Sequence, residues 1–212
     1  GDQNVAIGQN SLDSNTEGQK NVAIGFKALC TNTTADQVVA VGCGALISNT
    51  TGANNVAVGS LSLEGTTTGS DNTAAGPASG LSLTTGSNNL LLGHDAGRSN
   101  SPNTITTGSD RIVLGNNSIT NAYIRVDWTV TSDLRDKMNI EPISHGLDFV
   151  NQLNPIKFNF KKSRENATSH GRKKYGFKAQ DILALEGEDN VIIDNEDPNS
   201  LKYIGSHLVP VL

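Results

Sequence analysis

Asn21-Val-Ala-Ile-Gly25 returns 17 residues later as Val38-Val-Ala-Val-Gly42 and again as Asn55-Val-Ala-Val-Gly59. The same phase includes Asn4-Val-Ala-Ile-Gly8, Asn72-Thr-Ala-Ala-Gly76 and Asn89-Leu-Leu-Leu-Gly93. Arg111-Ile-Val-Leu-Gly115 follows after a longer step of 22 residues. A repeat this strict specifies stacked units rather than a single globular core. It separates a repetitive first half from a C-terminal part of different composition.

Within each unit an Asn commonly opens the run, three apolar residues follow, and a glycine closes it. A second apolar step comes next, as in Ala28-Leu29 and Ala45-Leu46, and then a polar turn such as Asn49-Thr-Thr-Gly52 or Thr66-Thr-Thr-Gly69. Turn glycines keep the phase at Gly18, Gly52, Gly69 and Gly86, and Gly108 keeps it after the longer step. Val and Ile suit a pleated, half-buried surface, and glycine permits close backbone approach. Asn and Thr in turns bond their own backbone. The pattern predicts two short β segments per unit, stacked at roughly 4.8 Å per layer.

Aromatic residues are unevenly placed: Phe26 is the only one before residue 120. The first half therefore has a core of Val, Ile, Leu and Ala. Such a thin core looks insufficient for a lone chain, so the expectation is a homotrimer around a common axis. The fold class expected over residues 1–120 is an all-β repeat shaft, either a β-solenoid or β-roll or an intertwined β-prism. A monomeric β-solenoid is the alternative. The units resemble the repeated Asn-x-Ala-x-Gly-x-x-Ala-Leu shafts of phage tail fibres and, more loosely, the head repeats of bacterial trimeric adhesins.

The 212 residues carry a net charge of −5 without a long block of either sign. That gives no electrostatic case for nucleic acid or an anionic membrane. No segment reaches the roughly 20 apolar residues of a membrane span, so no membrane insertion is expected. No N-terminal export signal is visible. The chain starts in mid-repeat and is expected to be a fragment. Cys30 and Cys43 occupy different slots of the repeat and read as free small hydrophobes rather than a disulfide or metal pair. His94 follows a strand glycine; three copies around a threefold axis could hold an ion, but a single packed or exposed histidine is the simpler reading. No cofactor and no metal are expected. The shaft's acidic residues, such as Asp13, Glu17, Glu64, Asp71 and Asp95, scatter over the repeat phase. They form no carboxylate pair of the kind a glycosidase needs, although one could form between chains.

After Gly115 the pattern changes. Residues 121–131, with the alternating Asn121-Ala-Tyr-Ile-Arg-Val-Asp-Trp-Thr-Val130, read as a strand leading out of the shaft into a junction. Ser132-Asp-Leu-Arg-Asp-Lys137 comes next. A serine needs a base to take its proton, and a lysine serves if burial lowers its pKa. Five residues of separation let a turn or short helix bring Ser132 and Lys137 together. The same residues also suit a solvated, charged turn. Beyond them, Leu147, Val150 and Leu153 recur at three-residue steps, predicting a helix within 143–153 that stops before Pro155. Ile156 to Phe160 alternates like a strand, and Lys161 to Lys174 reads as a basic, solvated loop. Tyr175-Gly-Phe177 reads as a strand, Ala179 to Leu185 as a helix with Ile182 and Leu185 inward, and Val191-Ile-Ile193 as a strand. Residues 132–212 thus read as a small mixed α/β domain.

The order of motifs carries a resemblance. Ser132-Asp-Leu-Arg-Asp-Lys-Met-Asn-Ile140, Gly146 to Phe160, Tyr175-Gly-Phe-Lys-Ala-Gln180 and Leu201 to Leu212 follow one another as in the intramolecular chaperone auto-processing domain of phage tail spikes and fibres. This is the endosialidase-type serine peptidase family, also found in myelin regulatory factors. The resemblance implies a domain that assists homotrimeric folding of the fibre ahead of it and then cuts itself off at Thr131–Ser132. It implies Ser132 as nucleophile and Lys137 as general base, with Arg135 and Gln180 in supporting roles. It also implies a long C-terminal helix after Val209-Pro-Val-Leu212, which these residues lack.

The functional expectation is a virion protein, made in the host cytoplasm: a tail fibre or spike segment with a self-cleaving chaperone that has no external substrate. The alternative is a trimeric adhesin for a bacterial surface receptor or glycan, in which the chaperone is incidental. A polysaccharide depolymerase is the third reading, and the shaft's carboxylates do not favour it.

Overall fold

Strands of only three residues are the unit of construction. In the computed structural model, the described residues are 1–98, 101, 103–125, 133, 135, 137–143, 145–161, 167–187, 191–195, 201–204 and 208. They divide into two units, Gly1–Ile119 and Thr120–Leu212.

In the first unit, β1 (Val5–Ile7), β2 (Val22–Ile24), β3 (Val39–Val41), β4 (Val56–Val58), β5 (Thr73–Ala75), β6 (Leu90–Leu92) and β7 (Ile112–Leu114) form one sheet in chain order. All pairings are parallel, and equivalent residues of successive repeats face each other, as Ala23 with Ala40 and Ala40 with Ala57. This is a β-solenoid. From β2 onward the central residue of each strand points inward: Ala23, Ala40, Ala57, Ala74 and Leu91 are fully buried, and Val113 is 4% exposed. The two flanking residues point outward, half-buried or exposed.

The second apolar step is not a strand. Leu29 and Leu46 lie in turns with φ of 54° and 50°, in the left-handed region, yet both are fully buried. A left-handed leucine costs about 1–2 kcal/mol. Full burial of its side chain returns about 1.5–3 kcal/mol, so the corner is worth making. A short coil must reverse several times, and these corners aim leucines at the axis. Fully buried Leu29, Leu46, Leu63, Leu83 and Leu91 fill the core with alanines between them. That core closes within one chain. Narrow coils need no aromatics to fill their interior.

Polar columns run beside the apolar one. Asn15, Asn32 and Asn49 bond side chain to side chain, with Nδ2 of each later residue donating to Oδ1 of the one before at 2.9 and 3.1 Å. Thr33 and Thr50 hydroxyls each donate to the carbonyl one coil on, at 3.1 Å. These bonds satisfy groups that stacking would otherwise bury unpaired. Gly42, with φ of 138°, lies so close to the next coil that a Cβ would stand 2.5 Å from the Gly59 carbonyl oxygen. The longer 22-residue step keeps the register of β6 on β7. Its extra residues bring in Ile105, 1% exposed, whose N–H donates to the Gly97 carbonyl at 2.8 Å.

The second unit has α1 (Leu147–Gln152), the antiparallel hairpin of β8 (Ile156–Lys161) and β9 (Ser169–Gly176), then α2 (Ala179–Glu186) and the antiparallel pair β10 (Ile193–Asp194) and β11 (Lys202–Tyr203). It is a small α/β region. Phe149, Ile182, Ile192, Ile193 and Leu208 form its buried core. Helix α1 starts later than its apolar spacing predicts, because Gly146 is its N-cap, and Leu153 turns extended two residues before Pro155. The predicted basic loop is a strand from Ser169 onward, since β8 offers Phe158 and Phe160 as pairing partners for Lys174 and His170. Residues 121–125 are not in a strand, and 126–130 lie outside the described residues.

Candidate functional site

The residues from Ser132 to Lys137 combine small, charged and flexible side chains, a composition that favours turns over regular elements. Asp133 organises what is described of this segment. Its Oδ1 accepts the backbone N–H of Arg135 at 2.9 Å and the Arg135 Nε at 3.0 Å, and its Oδ2 accepts Nη2 at 2.6 Å. One carboxylate thus closes the turn and grips a guanidinium in two-pronged fashion, the strong geometry for this pair. The side chain of Arg135 and, second, its backbone N–H hold the Asp133 carboxyl below its ordinary pKa. The same pair raises Arg135.

Lys137 and Arg135 are both exposed. Thr131 and Ser132 lie outside the described residues. Gln180 sits in the first turn of α2, exposed, beside the Lys178–Asp181 ion pair at 3.1 Å. No described contact joins Arg135, Lys137 and Gln180 to one another in a single chain.

Downstream of the motif the chain leaves large apolar side chains uncovered. Met138 is 83% exposed, Ile140 67%, Ile143 58% and Leu147 73%. Four such residues within ten positions make an apolar segment that a monomer does not bury.

Sequence reasoning missed two residues. Asp133 reads in sequence as part of a charged turn, although an acid two positions before an arginine can close a local clamp. Glu186 is the second. It is 4% exposed, and its carboxylate accepts the backbone N–H groups of Val191, Ile192 and Ile193 at 2.8, 2.6 and 3.1 Å. It fastens the end of α2 to the start of β10. Its signal was a carboxylate four residues after Ile182, on the inward phase of the helix, where Leu185 is only half-buried.

In the shaft, His94 is exposed, with Nδ1 3.2 Å from Asn116 Nδ2 and 3.6 Å from the Asp95 carboxylate. Asp95 is 5% exposed and pairs with Arg98 at 2.9 Å. Cys30 and Cys43 are free thiols. Among the described residues no group of His, Cys, Asp and Glu is arranged to hold a metal.

Residues 132–192 match the family model described as chaperone of endosialidase. That segment is similar to chaperone-of-endosialidase domains. No curated protein and no solved structure matches the chain. The family match begins at Ser132 and takes in the Asp133–Arg135 clamp, Lys137, Gln180 and Glu186. A β-solenoid followed by a chaperone-of-endosialidase domain fits a phage tail fibre or spike with its C-terminal chaperone. Among the described residues no helix is long and apolar enough to cross a membrane.

Proposed function

We propose that residues 1–120 are the shaft of a virion tail fibre or spike, that 121–131 are its junction, and that 132–212 form a chaperone that drives homotrimeric folding and then releases itself. The observation that carries this reading is the union of a 17-residue solenoid repeat with the family match that opens at Ser132. The uncovered Met138, Ile140, Ile143 and Leu147 support association, since large apolar side chains exposed within a short stretch favour burial against a partner.

Release is a single cut between Thr131 and Ser132. The Ser132 Oγ attacks the Thr131 carbonyl carbon as Lys137 takes the hydroxyl proton. The C–N bond breaks, the Ser132 nitrogen takes a proton and leaves as an amine, and Thr131 is held as an ester. Water then splits the ester, restoring the serine hydroxyl and leaving a Thr131 carboxylate. A lysine acts as base only when desolvated. Lys137 is exposed in the single chain, so association supplies the burial, and cutting follows assembly. Arg135 and Gln180 have supporting roles in geometry. Loss of the chaperone leaves a shaft trimer whose persistence is kinetic. The shaft's Asn and Thr turns then face a receptor or glycan of the bacterial surface.

Intact mass under denaturing conditions, on the chain extended past Leu212, tests this. Two fragments meeting at Thr131–Ser132 are expected, and an uncut mass from Ser132→Ala and Lys137→Ala variants that still form trimers. Normal cutting in both variants overturns the dyad.

A further inference from the structure

Two carboxylates of the shaft share one column. Asp71, Asn88 and Asp110 each stand at the left-handed corner two residues before a strand, with φ of 59°, 57° and 60°. Steps of 17 and then 22 residues return the chain to the same corner, because β5, β6 and β7 pair in register. Acids that scatter along the sequence are thus stacked in space. Two layers of about 4.8 Å put Asp71 and Asp110 roughly 10 Å apart along the stack. Each carboxylate is held by one oxygen. Asp71 Oδ1 accepts Asn54 Nδ2 at 3.0 Å, and Asp110 Oδ1 accepts Asn88 Nδ2 at 2.7 Å. Their Oδ2 atoms have no partner among the described residues.

Asp71, Asn88 and Asp110 line a groove of 340 Å³ together with Arg111, Leu90 and Ile112. That volume falls within the range of small-molecule sites. Leu90 is half-buried and Ile112 is 68% exposed, so the groove has apolar patches beside its acceptors. Arg111 stands where earlier coils have the buried Asn72 and Asn89, and its N–H donates to Asn89 Oδ1 at 3.1 Å as theirs do to the coil before. Its side chain is too large and too strongly charged for that slot and is only half-buried. The guanidinium lies over Gly108, where a Cβ would stand 2.8 Å from Nε; the glycine leaves room for it.

We propose that this groove binds a linear glycan free of acidic groups. The inference rests on the tail-fibre reading and adds to it where the shaft takes its sugar and what charge that sugar carries. A pyranose presents hydroxyls at its edge and C–H bonds on its faces. The two carboxylates accept hydroxyls in charge-assisted bonds, the guanidinium donates, and Leu90 and Ile112 take the ring faces. The acceptors repeat along the stack, as hydroxyls repeat along a chain of sugars. Two carboxylates against one guanidinium leave the groove net negative, which disfavours an anionic polymer. Binding rather than hydrolysis is expected, because both carboxylates are exposed and a glycosidase's acid needs a sheltered site.

Calorimetric titration of the full chain tests this with five probes: cellohexaose, laminarihexaose, maltohexaose, a chitosan hexamer and hexagalacturonate. At least one of the first four is expected to bind, and hexagalacturonate is not. Asp71→Ala/Asp110→Ala should weaken binding about tenfold or more with an unchanged thermal melt. Asp13→Ala, exposed in another slot of the repeat, should bind like the parent. Silence of all five probes overturns the site, and preferred binding of hexagalacturonate overturns the charge argument. Parental affinity in the double variant puts the sugar elsewhere and overturns the groove. The tail-fibre reading fails separately, on the trimer mass and the Thr131–Ser132 cut, neither of which involves these side chains.

Discussion

Asn55 Oδ1 accepts two hydrogen bonds from Asn72, one from its backbone N–H at 2.9 Å and one from its Nδ2 at 3.1 Å. Asn72 does the same for Asn89, at 3.1 and 3.0 Å. The asparagine that opens a strand is thus the polar spine of the stack, fully buried at Asn55 and Asn72. Asn72 Nδ2 also reaches the Gly86 carbonyl at 2.9 Å. Replacing Asn72 by Ala removes acceptor and donors together, and buried groups left unpaired cost about 1–3 kcal/mol each. A loss of about 2–4 kcal/mol is expected in chemical denaturation. A loss under about 1 kcal/mol would show that the spine is ornamental.

The spine is broken at Val38. Its N–H donates to Asn21 Oδ1 at 2.9 Å, but its side chain has no oxygen to offer the next coil. Val38 is fully buried, in the slot where Asn21, Asn55 and Asn72 stand. Val38→Asn is expected to extend the ladder to Asn55 and raise stability by about 1 kcal/mol, the usual net value of an added hydrogen bond. A lowered denaturation midpoint would argue that local packing has adapted to the valine.

Backbone sign separates two exposed-looking substitutions. Gly42→Ala meets the Gly59 carbonyl and a φ of 138°, so it should cost about 2–4 kcal/mol from overpacking and strain. Gln37→Gly, at a solvent-facing position with φ of 59°, should be neutral or stabilise by up to about 1 kcal/mol, since it relieves left-handed strain. Thermal melts of the two variants should move in opposite directions or differ by many degrees.

Glu186 is expected to hold the second unit together. Glu186→Ala strips an acceptor from three backbone N–H groups and should cost about 3 kcal/mol or more, whereas Glu186→Gln keeps one oxygen and should cost less. Hydrogen exchange should accelerate at Ile192 and Ile193 and stay unchanged along β2 to β5. Equal acceleration in both units would refute a local clamp.

The Asp133–Arg135 turn has a defined pH response. The folded pKa of Asp133 lies below its unfolded value. The turn's contribution is therefore fully present above the ordinary carboxylate range and is lost as pH falls through the lowered value. Carbon-13 chemical shifts should show Asp133 titrating at lower pH than a free aspartate, and Arg135→Gln should bring it back towards the ordinary range. An unchanged titration in that variant would deny the clamp.

The sequence by itself determined a stack of β units, because a 17-residue period and three-residue apolar runs leave stacking as the way to bury one side of each strand; that the stack is a solenoid and not an intertwined prism was decided by the in-register pairing of coils within one chain. It also carried the second unit's resemblance to a known family, through motif order from Ser132 to Gln180. Helix α2 was legible, because Ala179 to Glu186 combines good helix formers with a glycine stop at Gly187. Tertiary structure alone decided that Ala28-Leu29 is a left-handed corner, since burial of Leu29 outweighs a local preference that points the other way. It alone decided that Lys174 and Tyr175 share one strand, because pairing with β8 overrides a basic, loop-like composition. Glu186 reads in sequence as a surface acid; only the arrival of three backbone N–H groups at its carboxylate makes it a core residue. Local composition records periodicity, but it does not record which distant backbone groups a fold leaves in need of a partner.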